Sequence, residues 1–126
     1  MPKFRVWMKS LKWMCDVTNI SFDSKFVDIC QQGDTERYTE MSVEFDEITL
    51  MQSTGLFDRN GKEIFEGDIV RMAKDVYSEP TYYEVARHRG GAYRLESKQH
   101  GCELWLRHTD CEIVGNVYKN KELLDA

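Results

Sequence analysis

Apolar and polar residues alternate along most of this chain, which is the period-two pattern of half-buried β-strands. Turn-forming residues separate the alternating runs at intervals of about eight to twelve residues. The runs that predict strands are residues 4–8, 11–15, 17–22, 25–30, 48–52, 69–72, 82–87, 92–96, 104–106 and 112–118. The pattern predicts a mainly β fold in which short strands, joined by tight turns, form a small barrel or roll.

Two hairpins are predicted before residue 31. The first turns near residues 9–10, and the pattern leaves both two- and three-residue loops open, which would pair different partners. The second turns at residues 23–24. Residues 31–40 are polar and contain Gly33 and Asp34, so they predict a loop, with a short capped helical turn as the alternative.

The sharpest local signal is Asn60-Gly61, between the apolar pairs at residues 56–57 and 64–65. Both residue types tolerate positive φ, so the dipeptide predicts a tight hairpin turn. Asp58 and Glu63 also suggest a calcium loop. Its glycine is misplaced for an EF-hand, however, and the flanks are strands rather than helices. We therefore expect Asp58 to bind backbone N–H groups of the turn.

Length and composition limit the function classes. The 126 residues have room for one domain, and no linker composition or internal repeat divides the chain. Lys and Arg number 17 and Asp and Glu 22, a net charge of −5, so overall charge does not favour binding to nucleic acid or anionic lipid. No apolar run is long enough for a membrane span or a signal peptide, which predicts a cytoplasmic protein.

Four cysteines invite a disulfide interpretation, but without an export signal we expect free thiols. His100, Cys102, His108 and Cys111 are residue types that bind zinc. A strand at residues 104–106 would hold the two halves of this set roughly 20 Å apart, so all four cannot meet at one ion. A partial site shared between subunits is the alternative. The sequence thus predicts no metal and no other cofactor.

Three segments resemble the YopX-like proteins, a family found in bacteriophage and prophage genomes. The segments are Gln52-Ser53-Thr54-Gly55-Leu56, the run from Asp58 to Val70 that contains Asn60-Gly61-Lys62-Glu63-Ile64-Phe65-Glu66-Gly67-Asp68, and Glu112-Ile113-Val114-Gly115-Asn116-Val117-Tyr118. The opening Phe4-Arg5-Val6-Trp7 and the closing Glu122-Leu123-Leu124 extend the resemblance over the whole chain. Lys121 stands where the family often has proline.

The resemblance implies a single domain over residues 1–126. Residues 53–126 would form an SH3-like β-barrel region, and residues 1–52 a β-hairpin region with additional strands before the barrel. The resemblance also implies a phage or prophage setting. The family's biochemical role is not established, so the resemblance supplies no catalytic residue. At the C-terminus, Asn120 is placed to cap a short helical turn over residues 121–124.

Two further groups of residues are candidate sites. Glu63, Glu66 and Asp68 resemble carboxylates for acid–base work, but Asp68 after Gly67 is better explained as an acceptor of backbone N–H groups at the start of a strand. The basic run at residues 87–94 places cations beside an aromatic ring on a predicted hairpin. Its candidate contacts to nucleic acid are Arg87, Arg89, Tyr93 and Arg94.

The N-terminal hairpin carries a Trp-Met pair on each strand, Trp7-Met8 and Trp13-Met14. Strand alternation places the two members of each pair on opposite faces, so one of each pair is predicted to point away from the core. An outward apolar side chain in a small domain often marks an interface. These four residues are therefore the candidates for self-association, and the region around Trp105 is the next candidate. The alternative is that the additional strands fold over the barrel and bury both faces of the hairpin within one chain.

The leading hypothesis is a phage- or prophage-encoded, non-enzymatic interaction module that forms a homo-oligomer, with a host or phage protein as a further partner. A nucleic-acid-binding accessory protein that uses the basic run is the alternative. An enzyme whose site forms between subunits ranks last, because the sequence shows no nucleophile–base pair and no phosphate loop.

Overall fold

The computed structural model describes residues 3–73, 79–88, 90–98 and 101–125. In this part of the chain, eleven strands, one short α-helix and three 3₁₀ turns are present, and the strands pair in antiparallel sheets. The mainly β prediction is confirmed. The chain divides into two compact units, Met1–Gln52 and Ser53–Ala126.

The first unit is a sheet with the strand order β4-β3-β2-β1-β5. Its strands are β1 (Phe4–Met8), β2 (Trp13–Ser21), β3 (Phe26–Gln31), β4 (Met41–Glu44) and β5 (Ile48–Phe57), the last of which runs on into the second unit. The predicted N-terminal hairpin is confirmed, with Met8 paired to Trp13. Its loop has four residues, which is longer than either the two- or the three-residue loop considered, and Lys12 in that loop has a φ of 56°.

One face of this sheet carries the core of the first unit. Its buried side chains are Val6, Met8, Cys15, Val27, Ile29, Val43 and Ile48. The predicted break between residues 11–15 and 17–22 is wrong, because β2 is one strand. An irregularity in its pairing to β3, between Val17 and Asn19, interrupts the alternation that the prediction relied on.

The predicted loop at residues 31–40 is confirmed, since no helix or strand lies between β3 and β4. Asp34 fixes its conformation: the carboxylate accepts hydrogen bonds from the backbone N–H and the hydroxyl of Thr39, both at 2.6 Å. Arg37 has a φ of 60° at the turn. This loop is polar but ordered by its own side chains.

The second unit contains a sheet with the strand order β10-β9-β8-β7-β11. Its elements, in chain order, are β6 (Glu63–Phe65), β7 (Asp68–Met72), β8 (Thr81–Arg87), β9 (Tyr93–Glu96), β10 (Gly101–Glu103), α1 (Leu104–Arg107) and β11 (Glu112–Asn116). The core side chains are Ile64, Val70, Met72, Tyr83, Val85, Leu95, Leu104 and Cys111. Among the described residues, β10 and β11 do not pair with each other, so the sheet is open rather than a closed barrel.

The strand predicted at residues 104–106 is wrong, because these residues form the helical turn α1. Three apolar residues in a row fit either structure, and here only Leu104 is buried. The helical turn predicted near the C-terminus is confirmed as a 3₁₀ turn at Lys121–Asp125. The Asn120 side chain accepts a hydrogen bond from Asn116 N–H at 3.2 Å, which ties the turn back to β11.

Candidate functional site

Five residues, 58–62, lie between β5 and β6, and the hydrogen-bonded pair Asp58 and Lys62 closes a three-residue loop at residues 59–61. Asp58 N–H donates to Lys62 C=O at 2.8 Å, and Gly61 N–H donates to Asp58 C=O at 3.0 Å. Gly61 has a φ of 79°, but Asn60 is not among the residues with positive φ. The hairpin is therefore confirmed, whereas the prediction of two left-handed residues is wrong for Asn60. A type I turn followed by a left-handed glycine is the usual three-residue solution.

The Asp58 carboxylate is buried and fully used by backbone donors. One oxygen accepts the N–H groups of Asn60 and Lys62, both at 2.9 Å, and the other accepts Ile113 N–H at 3.0 Å. Burial raises the pKa of Asp58, but these hydrogen bonds outweigh it, so the pKa is lowered overall. The expected structural role of Asp58 is confirmed. The sequence did not predict its hydrogen bond with Ile113 N–H on β11.

Two of the three carboxylates considered for acid–base chemistry, Asp68 and Glu63, accept hydrogen bonds from different groups. Asp68 is buried and accepts Phe65 N–H at 2.8 Å, across a turn in which Gly67 has a φ of 88°. Glu63 accepts the Ser53 hydroxyl. Asp68 thus has the predicted role at a strand entry.

The zinc-type residues do not form a site in the described part of the chain, where no group of three or more His, Cys, Asp or Glu side chains has metal-binding geometry. His100 lies outside the described residues. His108 uses its Nδ1 in a 2.7 Å hydrogen bond with Phe57 C=O. The predicted wide separation is wrong, because α1 rather than a strand follows Cys102, and Cys102 packs against the core that contains Cys111. All four cysteines are free thiols.

The basic run is not assembled as one surface. Arg87 pairs with Tyr93 and Ala86 with Arg94, so Tyr93 and Arg94 lie on opposite faces of β9. Arg94 makes ion pairs with Glu96 at 3.1 Å and Glu103 at 2.7 Å, and its hydrogen bond to Glu96 is the main cause of its raised pKa. Tyr93 packs against the core of the second unit. Arg89 lies outside the described residues, and nucleic-acid binding stays a prediction.

The Trp-Met pairs are not exposed as predicted. Trp7, Met8 and Met14 are buried, and Trp13 is half-buried against the core of the first unit. Trp7 and Met14 form a cluster with Met51, separate from the cluster that contains Met8. Both members of the Trp7-Met8 pair are thus buried although they point to opposite faces. The prediction of an exposed apolar residue on each strand is wrong. Because these side chains are buried or half-buried, their exposure does not indicate an interface.

Large exposed apolar side chains lie instead at α1. Trp105 is 64% exposed and Leu106 59%, while Phe57 at the end of β5 is 50% exposed. The hydrogen bond between His108 and Phe57 brings the end of β5 beside the residue that follows α1. We call the exposed side chains of Trp105 and Leu106 the Trp105 patch. The sequence named the region around Trp105 only as the second candidate for an interface, because a strand would place Leu104 and Leu106 on one buried face.

No helix in the described part of the chain is both long and apolar enough to span a membrane.

No curated protein shows significant sequence similarity to the chain. Two crystal structures resemble it along almost its whole length. Protein EF1440 from Enterococcus faecalis is 30% identical, with 98% of each chain covered and a TM-score of 0.63. Protein yopX from Bacillus subtilis is 21% identical, with 97% of each chain covered and a TM-score of 0.62, a likeness of fold. The family model described as YopX protein matches residues 3–125, and the chain therefore belongs to the YopX protein family.

Proposed function

We propose that this protein is a phage- or prophage-encoded, non-enzymatic interaction module that self-associates. The observation that carries the proposal is the exposure of Trp105 and Leu106 side by side on a helical turn. Adjacent exposed apolar side chains are unfavourable in water, and tryptophan is enriched among the residues that dominate protein–protein binding energies. A soluble domain that keeps such a pair on its surface is expected to bury it against another protein.

The use of the polar motif residues supports a non-enzymatic role. Asp58, Asp68 and Asn116 all accept hydrogen bonds from backbone N–H groups. A catalytic carboxylate needs a free oxygen near substrate and a pKa close to the working pH. Asp58, with its lowered pKa and three N–H donors, is the opposite of such a group.

The setting rests on the family. Family membership supports an origin in a phage or prophage genome and a place of action in the host cytoplasm. The same resemblance supports an SH3-like roll for residues 53–126, and the antiparallel meander from β7 to β10 is compatible with that architecture. Both the setting and the roll are part of the proposal.

The test is the molar mass in solution, measured by light scattering during size exclusion from about 10 to 200 µM. We expect a mass that is a multiple of 14.9 kDa and that falls on dilution. A mass of 14.9 kDa at every concentration would refute self-association.

A further inference from the structure

We infer that the open edge of β2 binds an extended peptide segment of a partner protein, which adds a strand to the sheet of the first unit. The inference rests on the proposed role as an interaction module, but not on self-association or on Trp105. It adds a second surface and the chemistry of its partner, which is a backbone in β conformation, without net charge, that carries apolar side chains.

β2 is longer than its pairing with β1. That pairing ends where Asp16 lies opposite Arg5, whereas the pairing of β2 with β3 continues to Ser21. Residues along an antiparallel strand turn their N–H and C=O groups to both sides of the strand. Part of the backbone of residues 17–21 therefore presents these groups on the β1 side, where the described part of the chain supplies no strand. We call residues 17–21 the β2 edge.

A proline in the sequence limits the length of β1. Pro2 lies two residues before Phe4, the first residue of β1. A proline nitrogen carries no hydrogen and cannot donate to a neighbouring strand, so proline is disfavoured within a paired strand. The sequence thus favours an end of β1 near Phe4, and the β2 edge depends on another segment for its hydrogen bonds.

A groove lies along the β2 edge. It has a volume of about 510 Å³ and is lined by residues 16–20 together with Lys3, Phe4 and Phe22. Successive side chains of a strand point to opposite faces, so a groove lined by five consecutive residues follows the edge of the strand and not one face. The five residues of the β2 edge span roughly 17 Å, which is the length of a typical short strand.

The lining of the groove favours an apolar segment without net charge. Val17 and Ile20 are half-buried, and Phe22 is 60% exposed, so apolar side chains of a partner find apolar walls. Lys3 and Asp16, the charged residues of the lining, have opposite signs. A polyanion such as nucleic acid therefore meets no excess of positive charge here.

Other outer strands are less suited to the addition of a strand. β4 has only four residues and carries Glu44 at its end, and short or charged edge strands resist pairing. β10 has only three residues. The outer side of β11 is already used, because Ile113 N–H donates to Asp58. The β2 edge combines an open backbone with a groove that follows it.

The first measurement tests whether the β2 edge is open. Amide hydrogen exchange of the full chain, followed by NMR at two protein concentrations, reports the protection of each amide. We expect the amides of residues 17–21 that face β3 to exchange slowly, and those that face the β1 side to exchange fast at both concentrations.

The second measurement adds a strand. The probe is the peptide acetyl-Val-Thr-Val-Thr-Val-amide, which has no charge and a high β propensity. We expect it to shift the NMR resonances of residues 17–21 and to slow the exchange of their open amides. The matched probe has the same side chains but an N-methyl group on every residue, so it has no backbone donors along the strand. It should bind at least about tenfold more weakly.

A variant tests the groove itself. Phe22→Ser removes an exposed ring from the lining and should raise the dissociation constant of the probe severalfold. The matched control is Tyr38→Ser, which removes an exposed aromatic ring that is not part of the lining and should leave the dissociation constant unchanged. Circular dichroism melts exclude variants that unfold.

The outcomes separate this inference from the proposed self-association. Protected amides along the whole β2 edge of the free protein, shifts located elsewhere, or equal binding of the two probes would overturn the inference, whatever the molar mass. Open amides that become protected only as the protein concentration rises would identify a second copy as the occupant, and the partner named here would be wrong. A chain that stays at 14.9 kDa and binds the probe at residues 17–21 would refute self-association and support the inference.

Discussion

Replacement of Asp58 tests how the second unit is held together. Asp58→Ala removes an acceptor that serves three backbone N–H groups, two in the β5–β6 turn and one on β11. The N–H groups of Asn60 and Lys62 lie on exposed turn residues and can bind water instead. Ile113 is half-buried, so its N–H is the donor for which a replacement partner is hardest to find.

The expected loss follows from these differences. A hydrogen bond to a charged group contributes about 1.5–3 kcal/mol, and an unsatisfied buried donor costs about 1–3 kcal/mol. We expect Asp58→Ala to lower the free energy of unfolding by about 3 kcal/mol, mostly through Ile113, out of a total of roughly 5–15 kcal/mol. Asp58→Asn keeps one acceptor oxygen and should lose about half as much.

Urea unfolding followed by circular dichroism measures this loss, and the melting temperature should fall by roughly 4 °C for each kcal/mol. The control is Asp23→Ala, which removes a carboxylate from an exposed turn of the first unit. If Asp58→Ala unfolds within about 0.5 kcal/mol of the parent with the same urea dependence, the carboxylate is not the link between the turn and β11.

The same carboxylate makes stability depend on pH. The pKa of Asp58 is lowered in the folded protein, so its contribution is present above the unfolded pKa of about 3.9 and is lost as pH falls through the folded value. The parent should therefore lose more stability than Asp58→Asn between about pH 5 and pH 3. Parallel curves for the two proteins in this range would contradict the assignment.

Three shorter predictions concern other residues. Under denaturant, four thiols should titrate without added reductant, and in the folded protein Cys111 should react slowly because burial raises its pKa to about 12; a lower total would refute free thiols. Gly115→Ala should lower the melting temperature, since its Cβ would lie 2.3 Å from Asn120 Oδ1, and an unchanged melt would contradict this packing. Serine at all three arginines of the basic run should leave any weak retention on DNA unchanged; a salt-dependent loss would favour the nucleic-acid alternative.

The strand pattern was predictable where one face of a strand is buried. In β8, Tyr83 and Val85 are buried between more exposed neighbours, so the period of two is visible in the sequence. The same rule failed at the Trp-Met pairs. The alternation predicted for β1 is correct, but the four consecutive residues from Arg5 to Met8 are all buried. The sequence pattern does not show that both faces of this strand are buried.

The exposure of Leu106 could not be predicted, because the secondary structure of residues 104–106 is ambiguous in the sequence. A run of Leu104-Trp105-Leu106 fits a strand as well as one turn of helix, and only the tertiary structure decides between them. The helical turn keeps Leu104 in the core and places Leu106 on the surface. By contrast, the roles of Asp58 and Asp68 were predictable, because an acidic residue beside a turn glycine has backbone N–H groups within reach.

The motif that identifies the family and the surface proposed for assembly are made of different residues. Asn116 illustrates the first group: its side-chain oxygen accepts the N–H groups of Tyr118 and Lys119, both at 3.0 Å, and so shapes the turn after β11. Residues of this kind specify the backbone and would be required in any protein with this fold, whatever it binds. Trp105 makes no such contribution to the backbone, since its ring is mostly exposed. Its replacement should therefore separate assembly from folding, whereas replacement of Asp58 should weaken folding and assembly together.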